Sequence, residues 1–114
     1  PVNRGVRFSK NCMAVFLEDR CAVLLRTCAF RLNPTGVKAD GACRLSVERC
    51  RLRGCVLDGV WIGKETAGSV IGCDFRSNRI GLHHHFEASP RISANTFLQN
   101  QYGDVRRFPE EAFS

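Results

Sequence analysis

Residue types recur every 22 or 23 positions along this sequence, and this repetition constrains the fold more than any other feature. One column of small side chains comprises Cys28, Cys50, Cys73 and Asn95. A column of large apolar side chains follows two positions later and comprises Phe30, Leu52, Phe75 and Phe97. A third column comprises Asn11, Asn33, Cys55, Asn78 and Asn100. One extra residue between Cys55 and Gly59 explains the irregular step in every column, so the chain is a tandem repeat.

Each repeat contains three short runs in which apolar and polar residues alternate, separated by turns rich in Asn and Gly. The runs are too short for helices, and the turns are not of the two-residue hairpin type. If each repeat forms one coil, equivalent residues stack about 4.8 Å apart on parallel strands. The pattern therefore predicts an all-β fold, a right-handed parallel β-helix (solenoid) of about 4–5 coils with 22–23 residues each.

Alternation along the runs assigns the inward residues to three columns. The Phe/Leu column above forms one of them, and the other two comprise Leu25, Val47, Val70 and Ile92, and Val15, Val37, Val60 and Leu82. Because inward residues are committed to packing, a functional site has to be sought among the outward residues.

Two consecutive repeats resemble a known family. The stretches that carry the resemblance are Gly59-Val60-Trp61-Ile62, residues 69–75 (SVIGCDF) and Asn78-Arg79-Ile80-Gly81. They resemble right-handed β-helix proteins of the pectin-lyase-like class, and especially the repeats of some F-box proteins that are named for carbohydrate binding and sugar hydrolysis. The resemblance runs from about Val6 to Asp104 and implies the fold and, as one functional class, polysaccharide binding or cleavage.

Length and composition set the outer limits of the interpretation. We expect repeats over residues 1–105 and a C-terminal cap or tail over residues 106–114. The chain starts with Pro1 in mid-pattern, without a signal peptide, which predicts that it is part of a longer chain or assembly. No apolar run approaches the roughly 18 residues of a membrane span, and seven cysteines, an odd number, favour a reducing compartment. We therefore expect a cytoplasmic protein, with the nucleus as an alternative.

The outward residues suggest a contact surface. Alternation places Phe16, Lys38, Trp61 and His83 in one outward column. Arg31, Arg53 and Arg76 form a second column without an acid in register, whereas Arg26 has Glu48, and Arg51 has Asp74, one coil away. The net charge of +6 and this arginine ladder favour an acidic protein partner. Nucleic acid is disfavoured because basic and aromatic side chains are not interleaved, and an ordinary solvated surface is the simpler alternative.

Three groups of residues could carry chemistry, and each has a simpler explanation. In the run His83-His84-His85 only His83 and His85 lie on the same side of the strand, so a metal site would be incomplete. The column Cys28, Cys50 and Cys73 is close enough for a disulfide or a thiolate cluster, but it also suits a tightly packed core. The remaining thiols, Cys12, Cys21, Cys43 and Cys55, show no CxxC spacing.

A pair of in-register carboxylates, Glu18 and Asp40, is the only candidate for glycan chemistry. Their separation of about one strand spacing suits a retaining glycosidase, although Gly63 ends the column. We predict a non-catalytic scaffold or recognition module that binds a protein through its outward ladders and needs no cofactor or metal. A carbohydrate-binding or polysaccharide-cleaving β-helix is the alternative. The open edge on the Pro1 side predicts further coils or another subunit there.

Overall fold

The computed structural model describes residues 2–4, 7–9, 13–18, 20 and 22–109, with side chains from residue 15 onward. Within these ranges the chain forms strands and no helix, and hence no helix that could cross a membrane. The strands are β1 (Val2–Arg4), β2 (Arg7–Ser9), β3 (Met13–Glu18), β4 (Ala22–Arg26), β5 (Ala29–Arg31), β6 (Thr35–Asp40), β7 (Arg44–Glu48), β8 (Arg51–Arg53), β9 (Asp58–Ile62), β10 (Ala67–Ile71), β11 (Asp74–Arg76), β12 (Ile80–His85), β13 (Arg91–Ser93), β14 (Thr96–Leu98) and β15 (Gly103–Phe108).

The strands form three parallel sheets, and every coil contributes one strand to each sheet. Sheet A has the order β1-β4-β7-β10-β13, sheet B the order β2-β5-β8-β11-β14, and sheet C the order β3-β6-β9-β12-β15. Neighbouring strands pair in the predicted register, for example Phe30 with Leu52 and Val37 with Val60. The five strands of each sheet confirm the predicted parallel β-helix of four to five coils.

The predicted inward columns form the core. Leu25, Val47 and Val70 are fully buried on sheet A, as are Leu52 and Phe75 on sheet B. The rings of Phe75 and Phe97 stack with centroids 4.9 Å apart. Each such side chain contributes about 1.5–3 kcal/mol when it leaves water, so the stacked columns are the main source of stability.

The corners between the sheets carry ladders of polar hydrogen bonds. At the corner between sheets A and B, Asn95 Nδ2 donates to the carbonyl of Val70, and the thiols of Cys50 and Cys73 point to the equivalent carbonyls of Leu25 and Val47. Cysteine therefore replaces asparagine in this column because its S–H is also a donor, although a weak one. The predicted packing role of the cysteine column agrees with this arrangement.

Residues in the left-handed conformation stand immediately before two columns of the repeat. One is the Cys/Asn column (Cys28, Cys50, Cys73 and Asn95), and the other is the Asn/Cys column (Asn33, Cys55, Asn78 and Asn100). Before the Cys/Asn column they are Thr27, Arg49, Gly72 and Ala94, and before the Asn/Cys column they are Leu32, Gly54, Ser77 and Gln99. The amides of six of them, from Thr27 to Ser77, donate to the next coil, as Thr27 N does to Glu48 O at 3.0 Å. Only two of these eight positions are glycine, although the left-handed region favours glycine. For this reason the sequence locates the turns but gives little sign of their left-handed residues.

The glycine column at the start of sheet C has a different cause. A Cβ on Gly59 would lie 2.6 Å from the carbonyl oxygen of Gly81 and 2.9 Å from Cδ1 of Phe75. Gly36 and Gly81 are equally crowded by the next coil's carbonyl. Glycine is required here because the next coil's carbonyl and the Phe/Leu column both lie too close to leave room for a Cβ.

The last strand extends past the expected end of the repeats. Strand β15 pairs with β12 as far as His85 and Phe108, whereas the sequence pattern placed the last repeat residue at 105. Residues 106–108 continue the alternation of sheet C, because Arg106 aligns with His83 and Arg107 with His84. That residues 106–114 cap the solenoid stays a prediction, as does the covering of the edge formed by β1, β2 and β3.

Candidate recognition surface

The outer face of sheet C brings the first predicted column together. Phe16 aligns with Lys38, Lys38 with Trp61, and Trp61 with His83, each on a neighbouring strand. The Lys38 ammonium lies 5.6 Å from the centroid of the Phe16 ring and 4.8 Å from that of Trp61. Lys38 therefore joins the two aromatic rings by cation–π contacts of about 0.5–1 kcal/mol each.

Phe108 adds an aromatic ring that the sequence interpretation had assigned to the tail. Its ring stacks on Trp61 with centroids 4.7 Å apart and contacts the edge of His83 at 4.8 Å. Trp61 is consequently half-buried, although its side chain lies on the outward face as predicted. We name Phe16, Lys38, Trp61, His83 and Phe108 the aromatic face. Extending the column by one more repeat, from His83 to Arg106, was the available signal for this strand.

The three histidines behave differently from one another. His84 is buried in the inward column next to Ile62, and its Nδ1 lies 2.9 Å from the carbonyl oxygen of His85. His83 Nδ1 lies 3.3 Å from Asp58 Oδ1, a carboxylate that register alone had not placed beside it. His85 stacks on the half-exposed ring of Phe86. Among the described residues, no three His, Cys, Asp or Glu side chains are grouped as a metal would require.

The arginine ladder on sheet B is real, but its charge is partly neutralised within the chain. Arg31, Arg53 and Arg76 align on successive strands as predicted. Asp74 lies two residues before Arg76 on the same face, and its carboxylate is 3.1 Å from Arg76 Nε and 3.5 Å from Arg53 Nη2. No acid stands in register with the ladder, as predicted, but two of its three members already have a carboxylate partner within the chain.

The two predicted cross-coil ion pairs differ in the structure. Arg26 binds Glu48 at 3.0 Å, which confirms that cross-coil pair. Arg51 aligns with Asp74 but makes no ion pair with it, because Asp74 turns toward Arg53 and Arg76. Within the described part of the chain, no ion pair involves Arg31. Arg31 is thus the ladder member most available to an external anion.

An apolar corner between sheets B and C was missed by the sequence interpretation. Leu32, Val56 and Leu57 are 49%, 68% and 42% exposed, and we name them the apolar corner. The amides of Val56 and Leu57 donate to the carbonyls of Asn33 and Pro34 in the coil above. The extra residue between Cys55 and Gly59 is the signal that could have located this corner, because an insertion in a solenoid maps to a surface loop.

A basic cavity lies at the last strand of sheet C. It has a volume of about 370 Å³ and is lined by Arg79, Ile80, His83, Tyr102, Arg106, Arg107 and Phe108. The Arg79 guanidinium carbon lies 5.1 Å from the centroid of the Tyr102 ring. Of the lining residues, only His83 had been predicted as a site residue.

The candidate catalytic carboxylates are neighbours, as the repeat predicted. Glu18 aligns with Asp40, and both side chains are exposed at the end of their strands. Asp40 leans toward the next coil, where a Cβ on Gly63 would lie 2.8 Å from its Oδ1. The acid column therefore ends at Gly63, and no further carboxylate of the described chain extends it.

Two of the buried thiols, Cys50 and Cys55, are chemically protected. Burial raises the pKa of the Cys55 thiol to about 11. The pKa of the Cys50 thiol is raised by the hydrogen bond between Cys50 and Cys73 and by burial. Thiolates are the reactive form, so these side chains are poor nucleophiles at neutral pH. Cys50 and Cys73 are thiols and form no disulfide with each other. Cys12 and Cys21 lie outside the described residues.

The geometry defines a parallel β-solenoid with functional groups on its outer faces. A family model described as right handed beta helix region matches residues 4–106, and the chain therefore belongs to the right-handed β-helix family. No curated protein and no solved structure matches the chain. The resemblance to the pectin-lyase-like class remains a finer prediction within this family.

Proposed function

We propose that this β-helix is a non-catalytic recognition module that binds an acidic protein segment through the aromatic face and the neighbouring arginine ladder. The observation that carries this proposal is the continuous alignment of Phe16, Lys38, Trp61 and His83 on one outer face. Aromatic and cationic side chains are the types enriched at interface hot spots. Parallel strands hold them about 4.8 Å apart, so the face is prearranged for binding.

Charge complementarity supports an acidic partner. The chain carries a formal net charge of +6, and Lys38 and Arg31 form no ion pair within the described residues. The exposed apolar corner lies at the boundary between sheet C and sheet B. A segment with acidic residues beside one or two apolar side chains fits both features, because burial of the apolar groups adds to the charge attraction. We expect this encounter in the cytoplasm or nucleus.

The test uses the immobilised wild-type chain to select binding peptides from a library of disordered protein segments. The affinity of each selected peptide is then measured. We expect the selected peptides to be rich in Asp and Glu and to contain apolar residues. Lys38→Glu and Arg31→Glu should each weaken a selected peptide by about tenfold or more. Arg44→Glu is the matched control, because Arg44 is exposed on sheet A and makes no ion pair in the described chain.

The control decides between specific recognition and a general effect of charge. If Arg44→Glu weakens binding as much as Lys38→Glu does, only the net charge matters and the proposal is wrong. Phe16→Ala adds a test that leaves charge unchanged, and it should also weaken binding because the exposed ring supplies apolar contact area. Unchanged affinity in both Phe16→Ala and Lys38→Glu would remove the aromatic face from the interface.

Carbohydrate binding or cleavage is the second candidate function, favoured by the alignment of Glu18 with Asp40 on the same sheet as the aromatic face. Aromatic rings stack on sugar rings, and paired carboxylates can act as acid and nucleophile. Incubation with acidic and neutral polysaccharides, followed by reducing-end detection, tests this function. Turnover that disappears in Glu18→Gln or Asp40→Asn would establish the enzyme, and turnover that survives both would exclude this pair.

A further inference from the structure

The basic cavity on the last coil is separate from the part of the aromatic face formed by Phe16 and Lys38. Its lining contains three arginines and one histidine, with Tyr102, Ile80 and Phe108, and no carboxylate. Tyr102 N donates to the carbonyl of Arg79 at 2.7 Å, which anchors the two side chains on adjacent coils. The Tyr102 ring then supports the Arg79 guanidinium from one side by a cation–π contact.

Arg106 is held at the rim by the backbone. Its Nη1 donates to the carbonyl oxygen of Tyr102 at 3.1 Å, so its side chain runs back along the strand. A Cβ on Gly103 would lie 2.9 Å from both Cγ and Cδ of Arg106, which shows that glycine leaves the space for this path. The cavity wall is thus shaped by the fold before any ligand binds.

The charges of Arg79 and Arg107 are the decisive feature. Neither forms an ion pair within the described residues, and both line the same small cavity. His83 faces the cavity too, and Asp58 holds its Nδ1 at 3.3 Å. Guanidinium groups are planar forks of N–H donors that match the oxygens of phosphate and carboxylate groups.

We propose that this cavity binds a small organic oxyanion, a phosphate or carboxylate group carried on an apolar ring. Arg79 and Arg107 bind the oxygens, and Ile80 and Phe108 pack against the ring. The volume of about 370 Å³ is at the lower end of the roughly 300–1,000 Å³ of ligand pockets, so it admits one ring with one anionic group. This site goes beyond the proposed protein recognition, because its ligand is a small molecule.

The test is an NMR titration of the ¹⁵N-labelled chain at constant ionic strength with inorganic phosphate, phenyl phosphate and benzoate. We expect saturable shifts at the amides of Arg79, Tyr102 and Arg106, with phenyl phosphate binding more tightly than inorganic phosphate because its ring is buried. Stronger binding of phenyl phosphate than of benzoate identifies phosphate as the preferred group, and the reverse identifies carboxylate. Both orders support the site.

Matched variants make the test decisive. Arg79→Gln and Arg107→Gln should each lower the affinity for phenyl phosphate about tenfold, because each removes roughly one charge-assisted contact. Arg44→Gln removes the same charge from sheet A and should leave the affinity unchanged. All three side chains are exposed, so circular dichroism should show the fold intact. Linear, unsaturated shifts, or an equal effect of Arg44→Gln, would overturn the proposal and leave only diffuse attraction of anions. Phe16→Ala and Lys38→Glu, which impair peptide binding, should bind phenyl phosphate normally.

Discussion

Removing one amide side chain from the interior ladder should destabilise the whole solenoid. Asn78 is 1% exposed, and its Oδ1 accepts from the backbone N–H of Cys55 while its Nδ2 donates to the carbonyl of Leu52, both at 2.9 Å. Asn78→Ala leaves these two buried backbone groups without partners. Each stranded group costs about 1–3 kcal/mol, so the free energy of unfolding should fall by about 4 kcal/mol.

Urea denaturation followed by circular dichroism measures this loss as a shift of the midpoint at unchanged slope. Asn100→Ala is the control, because Asn100 makes equivalent contacts at 3.1–3.2 Å but is half-buried. Water can replace its lost hydrogen bonds, so we expect the free energy of unfolding to fall by only about 1 kcal/mol. Asn78→Cys should fall between the two, since cysteine occupies this column at Cys55. A loss in Asn78→Ala no larger than in Asn100→Ala would refute the ladder as a source of stability.

Two further predictions concern a thiol and the aromatic face. The pKa of Cys55 is raised by burial from 9.0 to about 11, so the folded state holds its proton more tightly and stability is lost as pH rises from 9 toward 11. The free energy of unfolding is measured between pH 9 and pH 11. In Cys55→Ala its decrease over this range should be smaller than in the wild type by about 2 kcal/mol, and an unchanged pH dependence would contradict the argument. Phe108→Ala should shift Trp61 fluorescence to longer wavelength and lower stability by about 1 kcal/mol, because the stacked ring is gone. Tyr102→Ala, the control, should leave the emission unchanged; equal spectra for wild type and Phe108→Ala would show that Phe108 does not cover Trp61.

Much of the architecture could be predicted because a solenoid converts sequence period directly into spatial neighbours. Phe30, Leu52 and Phe75 are a column in the sequence and a column in the core for the same reason. The left-handed turns could not be predicted this way. Non-glycine residues such as Thr27 and Arg49 adopt them, since the hydrogen bonds of the stacked coils outweigh the local backbone cost.

The sequence by itself determined which residues face inward, which strands are neighbours and which outward side chains align, because these follow from the repeat length and the two-residue alternation. Only the tertiary structure decided which partners the aligned side chains contact. Asp74 turns to Arg53 and Arg76 instead of Arg51, and Phe108 reaches across a strand to Trp61. Long side chains on a regular scaffold have several partners within reach, and packing and charge select among them.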